Sequence, residues 1–270
     1  MTTLPVVVKI GGSMAEDRKC LEELAADLVA SHATGAPVAL VHGGGKDINR
    51  NLQWLGQEPR FVDGLRFTDD AAMDMVEMTL SGRVNKLLVR LVLQAKGRAA
   101  GISGVDGGMF SATPLREDGA LGRVGSVTSC DPSLVRTLWA GGYLPVVSPV
   151  SLGPDGHSWN VNADDAAAAL AKALGARSLV YISDVPGVLD ERKERIASLI
   201  PSQIEDLIAR GVAQGGMIPK LRGCAATVAA GVGTVMIAGW SGPGSLGRIL
   251  AGTQGTLIRP AGTTTQERRS

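Results

Sequence analysis

Short apolar runs alternate with stretches whose apolar residues recur every third or fourth position along nearly the whole chain. Leu4 to Ile10 and Pro37 to Val41 are dense in Val and Leu, which predicts strands buried on both faces. Between them Leu21, Leu24, Ala25 and Leu28 follow the spacing of a helix with one buried stripe. Lys46 to Leu55 reads as a second helix, with Ile48, Leu52 and Leu55 on one face. Thr68 is the expected N-cap of a long helical stretch reaching Lys96 and bent near Gly82. Gly101 to Val127 is rich in glycine and broken into short strand-like pieces, as hairpins beside the sheet would be.

The alternation continues to the end of the chain. Asp131 to Ala140 predicts a helix, Tyr143 to Val150 a strand, Asp164 to Leu174 a helix and Ser178 to Ser183 another buried strand. Ser202 and Glu205 in SQIE have capping-box spacing, opening a helix that ends at Gly211. A helix near Pro219 to Ala230, a strand Thr234 to Ala238, a short helix and a strand Thr256 to Ile258 follow. Residues 261–270 carry no apolar face and are expected to be a disordered tail. Strands alternating with helices predict an α/β fold of three layers, αβα, around a mostly parallel central sheet, as a single domain over 1–260. Ligands then belong at the carboxyl ends of the strands.

Composition narrows the function classes. Hydrophobic residues make up 44% but aromatics only 3%, so the core is aliphatic. Basic and acidic residues balance at 27 and 26, with no basic face for nucleic acid. No apolar run has the length of a membrane span, and Met1 to Ile10 lacks a signal-peptide pattern, so a cytoplasmic protein is expected. Cys20, Cys130 and Cys224 show no metal or CxxC spacing, and the three histidines are unpaired, so no metal site is expected.

The candidate chemistry lies where apolar runs end. VHGGGKD, Val41 to Asp47, places three bare residues after a strand, and Lys9-Ile10-Gly11-Gly12 ends the strand before it. So much exposed backbone suits the approach of a phosphate. It is not a P-loop of the Walker type, because Leu40 and Asp47 stand where that pattern needs glycine and a hydroxyl. The GxGxxG match at Gly242 to Gly247 lacks a following dinucleotide unit and reads as chance.

Lys9-Ile10-Gly11-Gly12, His42-Gly43-Gly44-Gly45, FVDGLRFTD (Phe61 to Asp69), NVNADDAA (Asn160 to Ala167), SDVPGV (Ser183 to Val188) and GGMIPKL (Gly215 to Leu221) occur in that order. The series resembles the amino-acid kinase family, with its carbamate kinase-like fold, and within it the branch that phosphorylates N-acetyl-L-glutamate in arginine biosynthesis. The resemblance implies transfer of a phosphoryl group from ATP to a side-chain carboxylate, with Mg2+ held mainly by the nucleotide phosphates and water. It implies Lys9 and Lys220 on the transferring group and Asp164 between them, although Asp164 also fits the N-cap of its helix and Asp165 a first-turn acid. Gly44, Gly45, Arg66 and Asn160 would hold the substrate; Asn162 fits a turn. Gly11, Gly12, Asp184, Gly187, Gly216 and Met217 would hold the nucleotide. The lobe over about 1–175 would bind the acyl-amino acid and that over about 176–260 ATP. His42 reads as part of a buried strand end.

Other readings stay open. One is a kinase acting on aminoadipate or glutamate attached to a carrier protein, although FVDGLRFTD is more compact than expected there. Another is a non-catalytic amino-acid sensor, against which Lys9, Asp164 and Lys220 all stand. The resemblance also implies a homodimer paired through the long helix, where Met73, Met75 and Met78 offer an adaptable apolar surface. With eight residues before Lys9 and an atypical Ala238 to Leu250 loop, no response to arginine is expected.

Overall fold

The computed structural model of the chain describes residues 4–262, so most of the expected tail, 263–270, lies outside the described residues. Strand β1 (Val6–Ile10) and strand β2 (Val38–His42) run parallel in register, Ile10 opposite His42, so both glycine turns leave the same edge of the sheet. Helix α1 (Arg18–Ala33) connects them. Asp17 opens it by accepting from the N–H groups of Lys19 and Cys20, and its expected stripe is buried. Leu28 is fully buried, and Leu28→Ala would cost about 2–5 kcal/mol.

Helix α2 (Gly45–Trp54) buries Ile48 and Leu52, but Leu55 lies past its end and is 61% exposed, contrary to expectation. A tight hairpin follows, strand β3 (Phe61–Val62) and strand β4 (Leu65–Arg66), turning at Asp63 and Gly64, both at positive φ. Helix α3 (Asp70–Glu77) is capped by Asp69, which accepts from Ala72 N–H at 2.8 Å; Thr68 is not the cap. Around Gly82 the chain widens into a π-helical stretch, Met78–Val84, and re-forms as helix α4 (Asn85–Gln94).

Strand β5 (Ala99–Ser103) belongs to the main sheet, where a hairpin was expected. Strands β6 (Phe110–Pro114) and β7 (Val124–Cys130) leave it. Helix α5 (Ser133–Ala140) returns the chain to the sheet as strand β8 (Leu144–Ser148). The short strands β9 (Ser151–Leu152) and β10 (Ser158–Val161) close a small barrel with β6 and β7. Helix α6 (Ala163–Leu174) ends at Gly175 in the left-handed conformation. Strand β11 (Ser178–Ser183), strand β12 (Ser198–Leu199) and helix α7 (Pro201–Ala209) follow. The SQIE box does not form, because α7 starts earlier and Gln203 accepts the N–H of Ile200 at 2.9 Å. Helix α8 (Met217–Ala229), strand β13 (Thr234–Gly239), helix α9 (Ser245–Leu250) and strand β14 (Thr256–Ile258) complete the chain.

The eight-stranded sheet has the order β12-β14-β13-β11-β1-β2-β8-β5; β12 and β14 run parallel to each other and antiparallel to the other strands, from β13 onward. Alternate residues face two separate cores. Val7, Ala39, Val41 and Leu179 pack with α5, α6, α7 and α8; Val6, Val8, Leu40 and Val180 pack with α1, α4 and α9. These are the expected three layers. The Gly242 to Gly247 turn is filled from within: Asp27 accepts from Gly244 N–H at 2.9 Å and Leu246 N–H at 3.0 Å.

Candidate active site

Three charged side chains from three elements meet at the edge where the glycine turns lie. Lys9 is next to the last residue of β1. Asp164 lies in the first turn of α6, and Asn162, not Asp164, caps that helix by accepting Asp164 N–H at 2.8 Å. Lys220 lies in the first turn of α8. Lys9 Nζ is 2.6 Å from Asp164 Oδ1 and Lys220 Nζ is 3.1 Å from Oδ2, with the two lysine side chains only 13% and 18% exposed. Burial alone would raise the Asp164 carboxyl. The two ammonium groups, Lys9's foremost, outweigh it and hold the carboxyl below its ordinary value. Asp165, by contrast, is pushed up by burial and by Asp164.

Tyr181 of β11 is the register neighbour of Lys9 and is buried against the same group. Its hydroxyl donates to the main-chain oxygen of Asp164 at 3.2 Å, and Lys220 Nζ lies 5.2 Å from its ring centroid. Burial pushes its phenol well above the ordinary tyrosine range.

The glycine turns are bare for different reasons. Gly12 has φ +69°, and an added Cβ would sit 2.5 Å from Asp184 Oδ2. A Cβ on Gly11 would approach Lys9 Nζ to 2.7 Å, and one on Gly44 would approach Leu80 Cδ2 to 2.7 Å. Gly45 and Gly216 have nothing within 4 Å and offer open backbone. Lys46 does not enter the site; its Nζ holds Glu16 Oε2 at 2.9 Å and straps one glycine turn to the other. His42 is fully buried, its Nδ1 3.0 Å from Gly43 O and its Nε2 3.2 Å from Asn85 Nδ2. Burial lowers its pKa to about 4, so it is neutral and structural.

A cleft of about 240 Å³ lies beside the second turn, lined by Gly44, Gly45, Arg66, Asn160 and Asn162 among others. The β3–β4 hairpin carries Arg66 into it. Arg66 Nη2 donates to Gly45 O at 3.0 Å and to Asn49 Oδ1, and the guanidinium lies 5.0 Å from the Phe61 ring centroid. Its Nη1 is buried with no hydrogen-bond partner in the protein, an arrangement suited to an incoming carboxylate. Asn160 Nδ2 donates to Thr68 Oγ1 at 3.0 Å, which fixes its side chain at the rim.

The residues expected to hold the nucleotide are less tightly gathered. Asp184 follows β11 and packs on Gly12, and Gly216 and Met217 start α8. Gly187 is boxed in by Thr256, whose hydroxyl accepts Val188 N–H at 2.8 Å, so its bare α-carbon has a packing use. The sequence reading missed Tyr181, Thr68, Asn49 and Glu16. Only Tyr181 carried a signal, because strand alternation puts it on the face of Lys9 once the two strands are paired.

The model of the amino acid kinase family matches residues 5–239. The chain belongs to the amino acid kinase family. A relative, the acetylglutamate kinase of Rubrobacter xylanophilus, is 44% identical over 257 residues, which span 95% of this chain and 98% of that protein. The N-acetylglutamate synthase of Neisseria gonorrhoeae, solved with coenzyme A and N-acetyl-glutamate, superimposes with a TM-score of 0.82 at 22% identity, over 95% of this chain and 59% of that one. Giardia carbamate kinase gives 0.74 at 18% identity, over 96% and 100%. Those two likenesses show the shared fold. In this amino acid kinase-family chain no cluster of three or more His, Cys, Asp or Glu groups able to hold a metal occurs among the described residues. No described helix is long and apolar enough to cross a membrane.

Proposed function

We propose that the chain transfers the γ-phosphoryl group of ATP to the side-chain carboxylate of N-acetyl-L-glutamate, giving N-acetyl-L-glutamyl 5-phosphate in arginine biosynthesis. The observation that carries this reading is the pair of ammonium groups held on Asp164 where two glycine turns meet. Two anions must come together in this reaction, and catalysis is chiefly alignment and charge compensation. The substrate carboxylate is already ionised near neutral pH, so it needs no general base. One of its oxygens attacks phosphorus as the bond to ADP breaks. Lys9 faces the transferring group from the substrate lobe, about 1–175, and Lys220 from the nucleotide lobe, about 176–260. Asp164 keeps both ammonium groups aimed before the anions arrive.

Arg66 takes the substrate α-carboxylate through Nη1, with Asn160 beside it. The N–H groups of Gly11, Gly12, Gly44 and Gly45 face the phosphoryl chain and the acceptor. Asp184, Gly187, Gly216 and Met217 border the nucleotide. With both Asp164 oxygens engaged by lysine, Mg2+ fits on the ATP phosphates and water, where it offsets their charge. A homodimer in the cytoplasm goes with this reading. The long-helix surface is smaller than expected, because Met73 and Met75 are buried within the chain and Met78 alone is exposed, at 59%. Trp54 and Leu55, at the end of α2, are exposed as well.

The test is ADP release with N-acetyl-L-glutamate, free glutamate and aminoadipate side by side. Turnover with the acetylated substrate alone is expected. Preference for a carrier-linked substrate, or binding without turnover, would overturn the reading.

A further inference from the structure

We infer that Tyr181 is a positioning residue for Lys220, which it holds through its ring while its hydroxyl fixes the first turn of α6. The inference rests on the proposed role of Lys220 in phosphoryl transfer.

Tyr181 lies in the middle of the sheet, 3% exposed, at a position where burial alone asks only for an aliphatic side chain. Its neighbours along β11, Val180 and Ile182, are such residues. A phenol there must find a hydrogen-bond partner or lose stability. It finds the Asp164 main-chain oxygen at 3.2 Å. That oxygen belongs to the residue whose carboxylate holds both lysines, so the hydroxyl pins the pivot of the cluster from below.

The ring acts on the other member. Lys220 has a weaker hold on Asp164 than Lys9 has, 3.1 Å against 2.6 Å. A lysine ammonium on a flexible stem has three donors and no preferred plane, so one contact does not orient it. The Tyr181 ring centroid lies 5.2 Å from Lys220 Nζ, within reach of a cation–π attraction that strengthens when water is excluded. Carboxylate and ring together confine the ammonium and leave its remaining N–H groups for the phosphoryl oxygens. Lys9, fixed by its strand and by the shorter contact, needs no such support.

The test compares Tyr181→Phe, which keeps the ring, with Tyr181→Leu and Tyr181→Met, which fill the space without it. Tyr181→Leu and Tyr181→Met are expected to lower kcat about tenfold, with both KM values within about twofold, and Tyr181→Phe to retain most of kcat. In a Lys220→Ala background, Tyr181→Leu is expected to lower kcat by no more than about twofold further. A full tenfold loss in that background, or equal loss in Tyr181→Phe and Tyr181→Leu, would overturn the inference. So would unchanged kcat in Tyr181→Leu and Tyr181→Met. If Lys220→Ala itself kept normal turnover, the proposed reaction role would fail instead. The placement has its own readout: the ring current should shift the Lys220 ε-methylene proton signal upfield in the parent and Tyr181→Phe, but not in Tyr181→Leu. An unshifted parent signal would overturn the inference whatever the substrate.

Discussion

Lys9 and Lys220 reach one carboxylate, each taking a different oxygen of Asp164. Asp164 is the counter-ion that the two lysines share. Removing it should therefore disturb both while leaving the sheet intact.

Asp164→Asn keeps the shape and removes the charge. A loss in kcat of about 10²-fold is expected, as for other groups that set the electrostatics of a transition state. The folded carboxyl lies below its ordinary value, so the stability it contributes is present above the ordinary carboxylate range and is lost as pH falls through the folded value. Unfolding midpoints of the parent and Asp164→Asn should thus converge on acidification below about pH 4. A gap that widens there would contradict the pairing.

Arg66 presents an unpartnered Nη1 to the cleft. Arg66→Lys removes the planar fork but keeps the charge, and should raise KM for the acetylated substrate about tenfold or more while KM for ATP stays nearly constant. Equal changes in both constants, measured by varying each substrate in turn, would make the residue structural.

Two glycines make a contrasting pair. Gly12→Ala combines positive φ with contact at Asp184 and should destabilise the fold by about 1–3 kcal/mol. Gly45→Ala meets nothing within 4 Å in the protein, so its unfolding midpoint should stay put while turnover falls, because the new methyl group would intrude on the proposed substrate position. Denaturant melts beside kinetics separate the two effects.

His42 is held neutral by burial, its pKa lowered from 6.5 to about 4. The unfolded chain takes up this proton first, so the stability present above about pH 6.5 is lost as pH falls towards 4, by roughly 3 kcal/mol in all. Urea midpoints between pH 7.5 and 4.5 should show this slope, and His42→Gln should flatten it.

The edge that carries the candidate site was legible because each glycine turn follows an aliphatic run, and parallel strands bring such ends together. Lys9, Lys220, Asp164 and Arg66 stand out instead through the resemblance to the amino-acid kinase family; the structure brings the two lysines to Asp164 and sets Arg66 on the cleft. What escaped depended on local competition. Thr68 and Asp69 both suit an N-cap; Thr68 Oγ1 is taken by Asn160 and the Arg66 carbonyl, and Asp69 caps the helix. Asp63-Gly64 is a readable hairpin signal, passed over because FVDGLRFTD reads whole as a family motif. The π-helical stretch was not read from the sequence; it sets Leu80 and Val84 against Gly44. The exposure of Leu55 follows from a helix that stops one residue short.

Asp27 has a bearing on how many nucleotides the chain can take. Its carboxylate occupies the Gly244 turn as a tethered anion, at an effective concentration that a freely diffusing phosphate cannot match at ordinary ligand levels. A calorimetric titration with ATP should accordingly saturate at one equivalent per chain, with nothing added by the chance GxGxxG match at Gly242 to Gly247.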